Sequence, residues 1–332
     1  MSGSWPRVYV VTLNWNRAAE TCACVESVLQ SDYPRLSVIV CDNASEPESV
    51  ADIRHWLGTQ GAALRAGEWR ELDRSGIGSS PPGSLGECVL IHTGGNLGFA
   101  GGMNVGVQYA LQQQDADYVW LLNNDAVVDR HALSALVDHM RADLSIGICG
   151  STLLEFTDRR RVEGYGGATY EPWLARSRAI GAFSDIGSVP QQSQDVERGM
   201  AYVIGASMLV SRRLLEAIGL MDESYFLYSE ELDWALRARR AGFRLGYASR
   251  SLVYHKQGSS IGTSPQGGSD LSLFYLYRAK VMFTARHYRW LLPSVLAWLG
   301  WESFKFVLKG SPRKARATLR GMVAAWTGAH YQ

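Results

Sequence analysis

The sequence predicts an α/β fold built on a mostly parallel sheet. Short β-rich apolar runs alternate with stretches of helical periodicity, the pattern of right-handed βαβ crossovers. Several runs stop abruptly in clusters of Asn, Asp and Ser, and strand ends of that kind are where open α/β sheets bind ligands. At 332 residues, 46% hydrophobic and 20% charged, the chain can bury one large core with a smaller appendage, or two modest domains.

The elements follow in order. Val8 to Leu13 is an apolar run ending in Asn14-Trp15-Asn16-Arg17, and a helical pattern runs from Ala18 to Gln30 before a turn at Asp32-Tyr33-Pro34. Leu36 to Cys41 is a second run, ending in Asp42-Asn43-Ala44-Ser45. Residues 58–87, rich in Gly, Ser, Pro and charge, are expected to form a surface insertion ahead of the strand Cys88 to Ile91. A glycine-rich segment, Thr93 to Asn104, opens the next helix. Tyr118 to Leu122 is a strand ending in Asn123-Asn124-Asp125, followed by a helix near His131 to Met140. Ala201 to Ser211 is expected as one further strand, and Ser251 to Tyr254 as another with His255 at its end. Between them, a helix carrying Arg237, Arg239 and Arg240 stops at Gly242, a C-terminal signal.

Composition excludes several classes. A formal net charge of +1 gives no footprint for nucleic acid. Five cysteines, Cys22, Cys24, Cys41, Cys88 and Cys149, show no CxxC pair, so neither a disulfide framework nor a zinc site is expected. Reduced thiols and the lack of a signal-peptide pattern in MSGSWPRVYVV lead to a cytoplasmic expectation.

Three clusters carry candidate chemistry. Asp125, flanked by Asn123 and Asn124 at a strand tip, suits a hard divalent cation that also grips phosphate oxygens; capping of the next helix by Asp125 or Asp129 is the competing account. The segment TGGNLGFAGGMN allows close backbone approach and offers amides to an anion, with Asn96 and Asn104 as further donors, yet it matches neither a P-loop nor a dinucleotide fingerprint. Glu230, Glu231 and Asp233 open a helix, where the dipole favours acids in any case. Three acids in four residues beside aromatics exceed what capping needs, and one can serve as a general base. His255 is a candidate metal ligand at another strand's end.

Taken in order, VVTLNWNR, VIVCDNAS, GGNLGFAGGMNVG, YVWLLNNDAVVD, VIGASMLVSRRLLEAIGLMDESYFLYSEELDWALRARRAG and VYHKQGSS resemble the inverting family-2 glycosyltransferases of GT-A fold, in the branch that includes bacterial rhamnosyltransferases. The resemblance spans nearly all of residues 7 to 262 and implies a GT-A catalytic domain over 1–265, with residues 155–198 as a variable acceptor-side segment. It implies a nucleotide-diphosphate sugar donor, dTDP-rhamnose above UDP-galactose, and a divalent cation, Mg or Mn. Asp42 falls where the family contacts the nucleotide base, with Thr12, Asn14 and Asn96 in the same pocket; Asn43, Gly95, Gly98, Asn104, Asn123 and Asn124 complete the donor-contacting set. Asp125 falls on the metal position of the DXD motif, here Asn-Asn-Asp, and His255 on the histidine that completes the metal shell. The catalytic base falls on Glu231, second of the pair Glu230-Glu231; the pair most often ends in Asp, so Asp233 is held as the reserve. The implied acceptor is a glycan or lipid-linked saccharide in cell-surface polysaccharide synthesis. A relative that binds nucleotide sugar without catalysis is the alternative.

Residues 266–332 differ in character, mixing aromatics and leucines with Arg and Lys. The apolar run Leu291 to Trp301 contains Pro293 and falls short of the about 20 residues a bilayer span takes. Either a helical extension packs on the catalytic core, or a basic, Trp-rich surface rests peripherally on the cytoplasmic leaflet; the tail Arg313-Lys314-Ala315-Arg316, then Arg320, favours the second. Within 155–198, Gly164 to Gly167, Tyr165, Tyr170 and Trp173 form either a sugar-stacking platform or a loop's own packing.

Overall fold

A computed structural model describes residues 5–64, 69–79, 87–190, 192–256 and 268–331. The expected alternation is present. Strand β1 (Val8–Asn14) leads into α1 (Ala18–Leu29), β2 (Leu36–Asp42) and α2 (Pro47–Trp56), which continues through a π-helical turn into the short α3 (Ala62–Leu64). Then come β3 (Trp69–Asp73), β4 (Cys88–His92), α4 (Gly98–Gln112), β5 (Tyr118–Leu122), β6 (Ala126–Val128) and α5 (Ala132–Ala142). After β7 (Ile146–Glu155) follow β8 (Val162–Tyr165), β9 (Gly167–Glu171), β10 (Arg176–Ala179), α6 (Ser193–Gly199), β11 (Tyr202–Val203), β12 (Ser207–Ser211) and α7 (Arg212–Ile218). Helix α8 (Glu230–Arg240), β13 (Arg244–His255), α9 (Asp270–His287), α10 (Leu292–Leu308) and α11 (Pro312–Thr327) complete the chain.

The main sheet runs β3-β4-β2-β1-β5-β12-β7-β13-β6, with β8 added on β7. Strands β3, β4, β2, β1 and β5 are mutually parallel, while β12 is antiparallel to both its neighbours. From β1 the chain winds outward to β2 and β4, then returns to lay β5 on β1's other side. The crevice at that reversal is where an open α/β sheet offers its ligand site. Both faces of the sheet are covered: Val8, Val10, Val38, Val40 and Trp120 pack on one side, and Tyr9, Val11, Ile39, Cys41 and Leu121 on the other. This two-sided burial is why β2 reads as near-continuous apolar sequence, broken only by Ser37 and the terminal Asp42, rather than as an alternation, all seven of its residues being buried.

Two expectations need correction. The stretch 58–87 is not wholly a surface insertion, because Trp69–Asp73 joins the sheet as an edge strand parallel to β4. Its half-polar sequence, WRELD, fits an edge exposed along one side and carries no apolar run to mark it as a strand. Ala201 to Ser211 is not one strand: β11 pairs with β9 in a separate three-stranded sheet, and only Ser207–Ser211 enters the main sheet.

The C-terminal helices are present and packed. Helix α9 lays Ala279, Met282 and Phe283 against Tyr225 and Leu232, and Leu273, Tyr277 and Val281 against Val295 and Leu299 of α10. Tyr170 packs edge-on against Phe283 with ring centroids 5.4 Å apart, and Tyr165 tilts against Tyr247 at 6.0 Å, so both belong to internal packing. Trp173 stays exposed, edge-on to Trp290 at 5.4 Å. The segment Arg289–Leu308 has 20 residues and a mean hydropathy of 1.2, long and apolar enough to cross a membrane. That extends the shorter run read from the sequence, because helix continues beyond Trp301.

Candidate active site

Strand register sets up the site. Asn14 of β1 pairs with Asp42 of β2, which pairs with His92 of β4, so three polar residues stand in one row at the carboxyl edge. Asn14 is fully buried; its amide donates to Asp42 Oδ1 (3.0 Å) and Ser45 Oγ (2.9 Å), and its oxygen accepts from Thr21 Oγ1 (2.9 Å). Asp42 also accepts from the Ser45 amide (3.2 Å), and His92 stands 3.7 Å away. Asp42, Ser45, Pro47, Arg54, His92 and Gly94 line a recess of about 370 Å³. Thr12, on β1, is buried beside Cys24 of α1, whose thiol burial pushes up to about 12.

The glycine-rich loop is braced from β2. Asn43 donates to Asn96 Oδ1 (3.0 Å) and to the Gly98 carbonyl (3.3 Å), and accepts from the Leu97 amide (3.0 Å). Gly98 lies at φ +71, and a Cβ there would meet the Phe226 carbonyl oxygen at 2.2 Å, so only glycine fits. Gly95 by contrast faces open space. Asn104 departs from its expected role. Its amide donates to the Met221 carbonyl (2.9 Å) and Glu223 Oε1 (3.0 Å) and its oxygen accepts from the Met221 amide (3.2 Å), so its side chain is taken up in clamping α4 to residues 221–223.

A cleft of about 460 Å³ opens at the sheet's reversal, lined by Leu13, Trp15, Asn43, Asn96, Gly98, Asn123 and Asn124 together with Phe226, Tyr275, His330 and Tyr331. The last four were missed in the sequence. Phe226 and Tyr275 stack at 4.5 Å, and His330 meets Phe226 edge-on at 5.7 Å, so the C-terminal segment forms one wall. Nothing local in the sequence signals that return.

Asp125 and His255 meet because β6 and β13 pair antiparallel, Ala126 opposite His255. His255 Nε2 lies 3.2 Å from Asp125 Oδ1, and its Nδ1 lies 2.9 Å from Glu163 Oε2. Glu163 was also missed. It sits at a register shift between β7 and β8, Leu153 pairing with Gly164 but Leu154 with Val162, and such a bulge re-aims a side chain. Burial acts to lower the His255 pKa, but hydrogen bonds and charge from Asp125 and Glu163 outweigh it and lift the value to about 9. A carboxylate oxygen and an imidazole nitrogen this close are donors that Mg or Mn accepts, with a carboxylate behind the ring to orient it. Among the described residues no group of three or more His, Cys, Asp or Glu side chains is arranged to hold a metal, so a cation at Asp125 and His255 would need ligands from elsewhere.

The acid cluster follows a strained turn: Phe226, Tyr228 and Ser229 all have φ between +62 and +68, left-handed values costly for non-glycine residues. Glu230 is buried, its Oε2 has no hydrogen-bond partner among the described residues, and burial, then the neighbouring Glu231 charge, pushes its pKa well up. Glu231 is half-buried; burial lifts it to about 7 against hydrogen bonds from its own and the Gly205 backbone. Gly205 adjoins Ala206, whose carbonyl accepts from the Asn123 amide (3.1 Å), which ties the Glu231 carboxylate to the tip bearing Asp125. Asp233, the reserve base, is engaged elsewhere. Its oxygens meet Arg237 Nε at 2.7 Å and His287 Nε2 at 2.6 Å, and although burial opposes it, these partners hold its carboxyl below the usual range. It pins α9 to α8.

Comparisons with known proteins identify the family and the fold. The sequence model described as glycosyltransferase-like family 2 matches residues 85–266. The low-salt glycan biosynthesis hexosyltransferase Agl10 of Haloferax volcanii is 26% identical over 167 residues, 50% of this chain and 51% of that protein. The N-acetylglucosaminyl-diphospho-decaprenol L-rhamnosyltransferase of Mycobacterium tuberculosis is 25% identical over 192 residues, 53% of this chain and 61% of that protein. The matches thus span between about half and three-fifths of these two relatives. Among solved structures, the Pyrobaculum calidifontis mannosyltransferase PcManGT, in complex with GDP-Man and Mn2+, superposes with a TM-score of 0.56 at 16% identity, over 97% of this chain and 88% of that one. Residues 1–349 of S. aureus TarS with UDP-GlcNAc give 0.52 at 11%, over 98% and 93%. The architecture is therefore GT-A. With its family model matching more than half of its length, the chain belongs to the glycosyltransferase-like family 2.

Proposed function

We propose that the chain is an inverting, metal-dependent glycosyltransferase that moves a sugar, rhamnose from dTDP-rhamnose first, from a nucleotide-diphosphate donor to a hydroxyl of a glycan or lipid-linked acceptor in cell-surface polysaccharide synthesis. The observation that carries this is the meeting of Asp125 and His255 beside a half-buried Glu231 poised near neutrality, at the carboxyl edge of a sheet whose strand order reverses there. Rhamnosyltransferases among the relatives, the mycobacterial enzyme and E. coli WbbL, supply the order of donors to try.

In this reading the nucleobase lies against Asp42 in the recess with Arg54 and His92, and the diphosphate passes the Asn43-braced glycine loop at Gly95. Asp125 and His255 would hold the cation, Mg or Mn, which would supply neutralisation of the charge gathering on the departing diphosphate. Glu231 accepts the proton of the acceptor hydroxyl as that oxygen bonds the anomeric carbon. The bond from that carbon to the phosphate oxygen breaks on the opposite face, releasing nucleoside diphosphate. A single displacement inverts the centre and needs no enzyme nucleophile. Burial, and then the neighbouring Glu231 charge, push the Glu230 pKa up, which disfavours a second negative charge beside the first. A cytoplasmic location with peripheral attachment to the inner leaflet suits a lipid-linked acceptor.

The test compares dTDP-rhamnose, UDP-galactose and UDP-N-acetylglucosamine, each with and without Mn. Metal-dependent release of nucleoside diphosphate from one of them supports the reading and identifies the sugar. Tight metal-dependent binding without turnover, even with acceptor supplied, favours the non-catalytic relative. Folded protein that neither binds nor turns over any donor rejects the site.

A further inference from the structure

The C-terminal helical hairpin turns a continuous apolar face to solvent. On α10, Trp301, Phe304 and Leu308 form one stripe opposite the buried Val295, Leu299 and Ser303. On α11, Leu319, Val323 and Trp326 form a second, opposite the buried Thr318, Gly321 and Ala324. The Ser303–Thr318 hydrogen bond (2.8 Å) sets the register, bringing Trp301 level with Leu319. Both helices pack their inner sides on α9, so the two stripes face away from the catalytic core. Val323 and Trp326 are 63% and 61% exposed, values that leave most of each side chain uncovered. A soluble surface seldom carries six large apolar side chains in one place without something to cover them.

Charge indicates the cover. From residue 289 onward the sequence holds seven Lys and Arg against one Glu, in a chain whose overall charge is +1. Helix α11 has no acid at all, and on it Arg313, Arg316 and Arg320 are exposed along the flank of the apolar stripe. A second copy of this face would bring like charges together, whereas anionic lipid headgroups match them. The exposed Trp173 and Trp290 extend the face, and indole rings settle at the boundary between headgroups and acyl chains. Beyond Trp326 the chain turns directly to His330 and Tyr331 in the wall of the cleft. We propose that the outer face of α10 and α11 lies flat on an anionic membrane surface, apolar side chains inserted at headgroup depth, and so holds the cleft at the bilayer. The use of this face rests on the lipid-linked acceptor reading, but its binding to lipid does not. Because the inner side of α10 is committed to α9, the helix lies along the surface and does not span it.

The experiment is sedimentation of the full chain with vesicles of pure phosphatidylcholine and of phosphatidylcholine with about 30% phosphatidylglycerol as the anionic lipid. Expected is binding to the anionic vesicles alone, weakened by salt. Leu319→Glu with Val323→Glu should abolish it, and Arg313→Gln with Arg316→Gln should weaken it by about fivefold per charge removed. All four positions are exposed, so unchanged melting temperatures separate lost binding from misfolding. Donor hydrolysis without acceptor should be unaltered in these variants, keeping failure here distinct from failure of the transferase reading. No sedimentation with anionic vesicles, equal binding to both vesicle types, or a dimer in solution that Leu319→Glu dissociates would each overturn the proposal.

Discussion

The two sides of the cleft are built on opposite principles. On the side of β1, β2 and β4 the polar residues spend their hydrogen bonds on one another: Asn14 on Asp42, Ser45 and Thr21, and Asn43 on Asn96 and Gly98. On the side of α8, the Glu230 Oε2 has no such partner among the described residues, Glu231 is lifted to about 7, and three residues ahead of them hold left-handed backbone. The first side is held in shape by its own hydrogen bonds, as suits the donor pocket proposed for it. The second stores strain and a misplaced proton affinity, which binding alone does not require but proton transfer does.

The sharpest way to break this contrast is Glu231→Gln. The turnover rate should fall on the order of 10²–10⁴-fold while donor affinity stays within about twofold. An equal loss in both would place Glu231 in binding and erase the distinction. Next, Asp125→Asn should lower transfer on the order of 10²–10³-fold and remove its manganese dependence, measured by titrating the metal. Glu163→Gln tests whether a residue two steps from the donor acts through His255: metal affinity should weaken about 10–100-fold, read by direct calorimetric titration, with the fold unchanged.

The pH profile sharpens the comparison further. As the proposed base, Glu231 would act only when ionised, so the rate should rise about tenfold per pH unit below 7 and level off above it. The sign for stability is the reverse. A carboxyl whose native pKa is raised favours folding while protonated, and that contribution is lost as pH rises from about 4.3 through about 7. Glu231→Gln should therefore flatten both curves together. The smallest change expected is in Asp233→Asn: about 2–3 kcal/mol of stability, seen in melting, with little effect on rate. Because Asp233 is held below its ordinary pKa, its contribution is present above about pH 3.9 and fades as pH falls.

What could be read from the sequence was whatever a single strand end displays. Asn14 and Asp42 each follow an apolar run directly and Asp125 closes the polar triplet after another, and sheet topology alone gathers such ends along one edge. What could not be read depends on partners far along the chain. Asp233 looked like a spare base until His287, 54 residues on, took one of its oxygens. Asn104 looked like a ligand contact until Met221 and Glu223 filled its amide. Glu163 needed a bulge to turn it toward His255, and a bulge leaves no periodic trace. The cleft wall at Tyr275 and His330 arises from helices that return after most of the catalytic residues have passed.

The close approach of Gly98 to the Phe226 carbonyl has a consequence for anyone redesigning the specificity of this protein. The Phe99 amide donates to that same carbonyl at 2.7 Å, so the glycine-rich loop, proposed to meet the donor, and the turn ahead of Glu231, proposed as the base, share one fastening. Transplanting the glycine-rich loop from a cousin with another sugar preference would carry a foreign surface into contact with Phe226 and shift the left-handed turn behind it. The practical unit of exchange is therefore the pair, residues 94–104 together with 221–231, cut and grafted as one piece even though more than a hundred positions separate them along the chain.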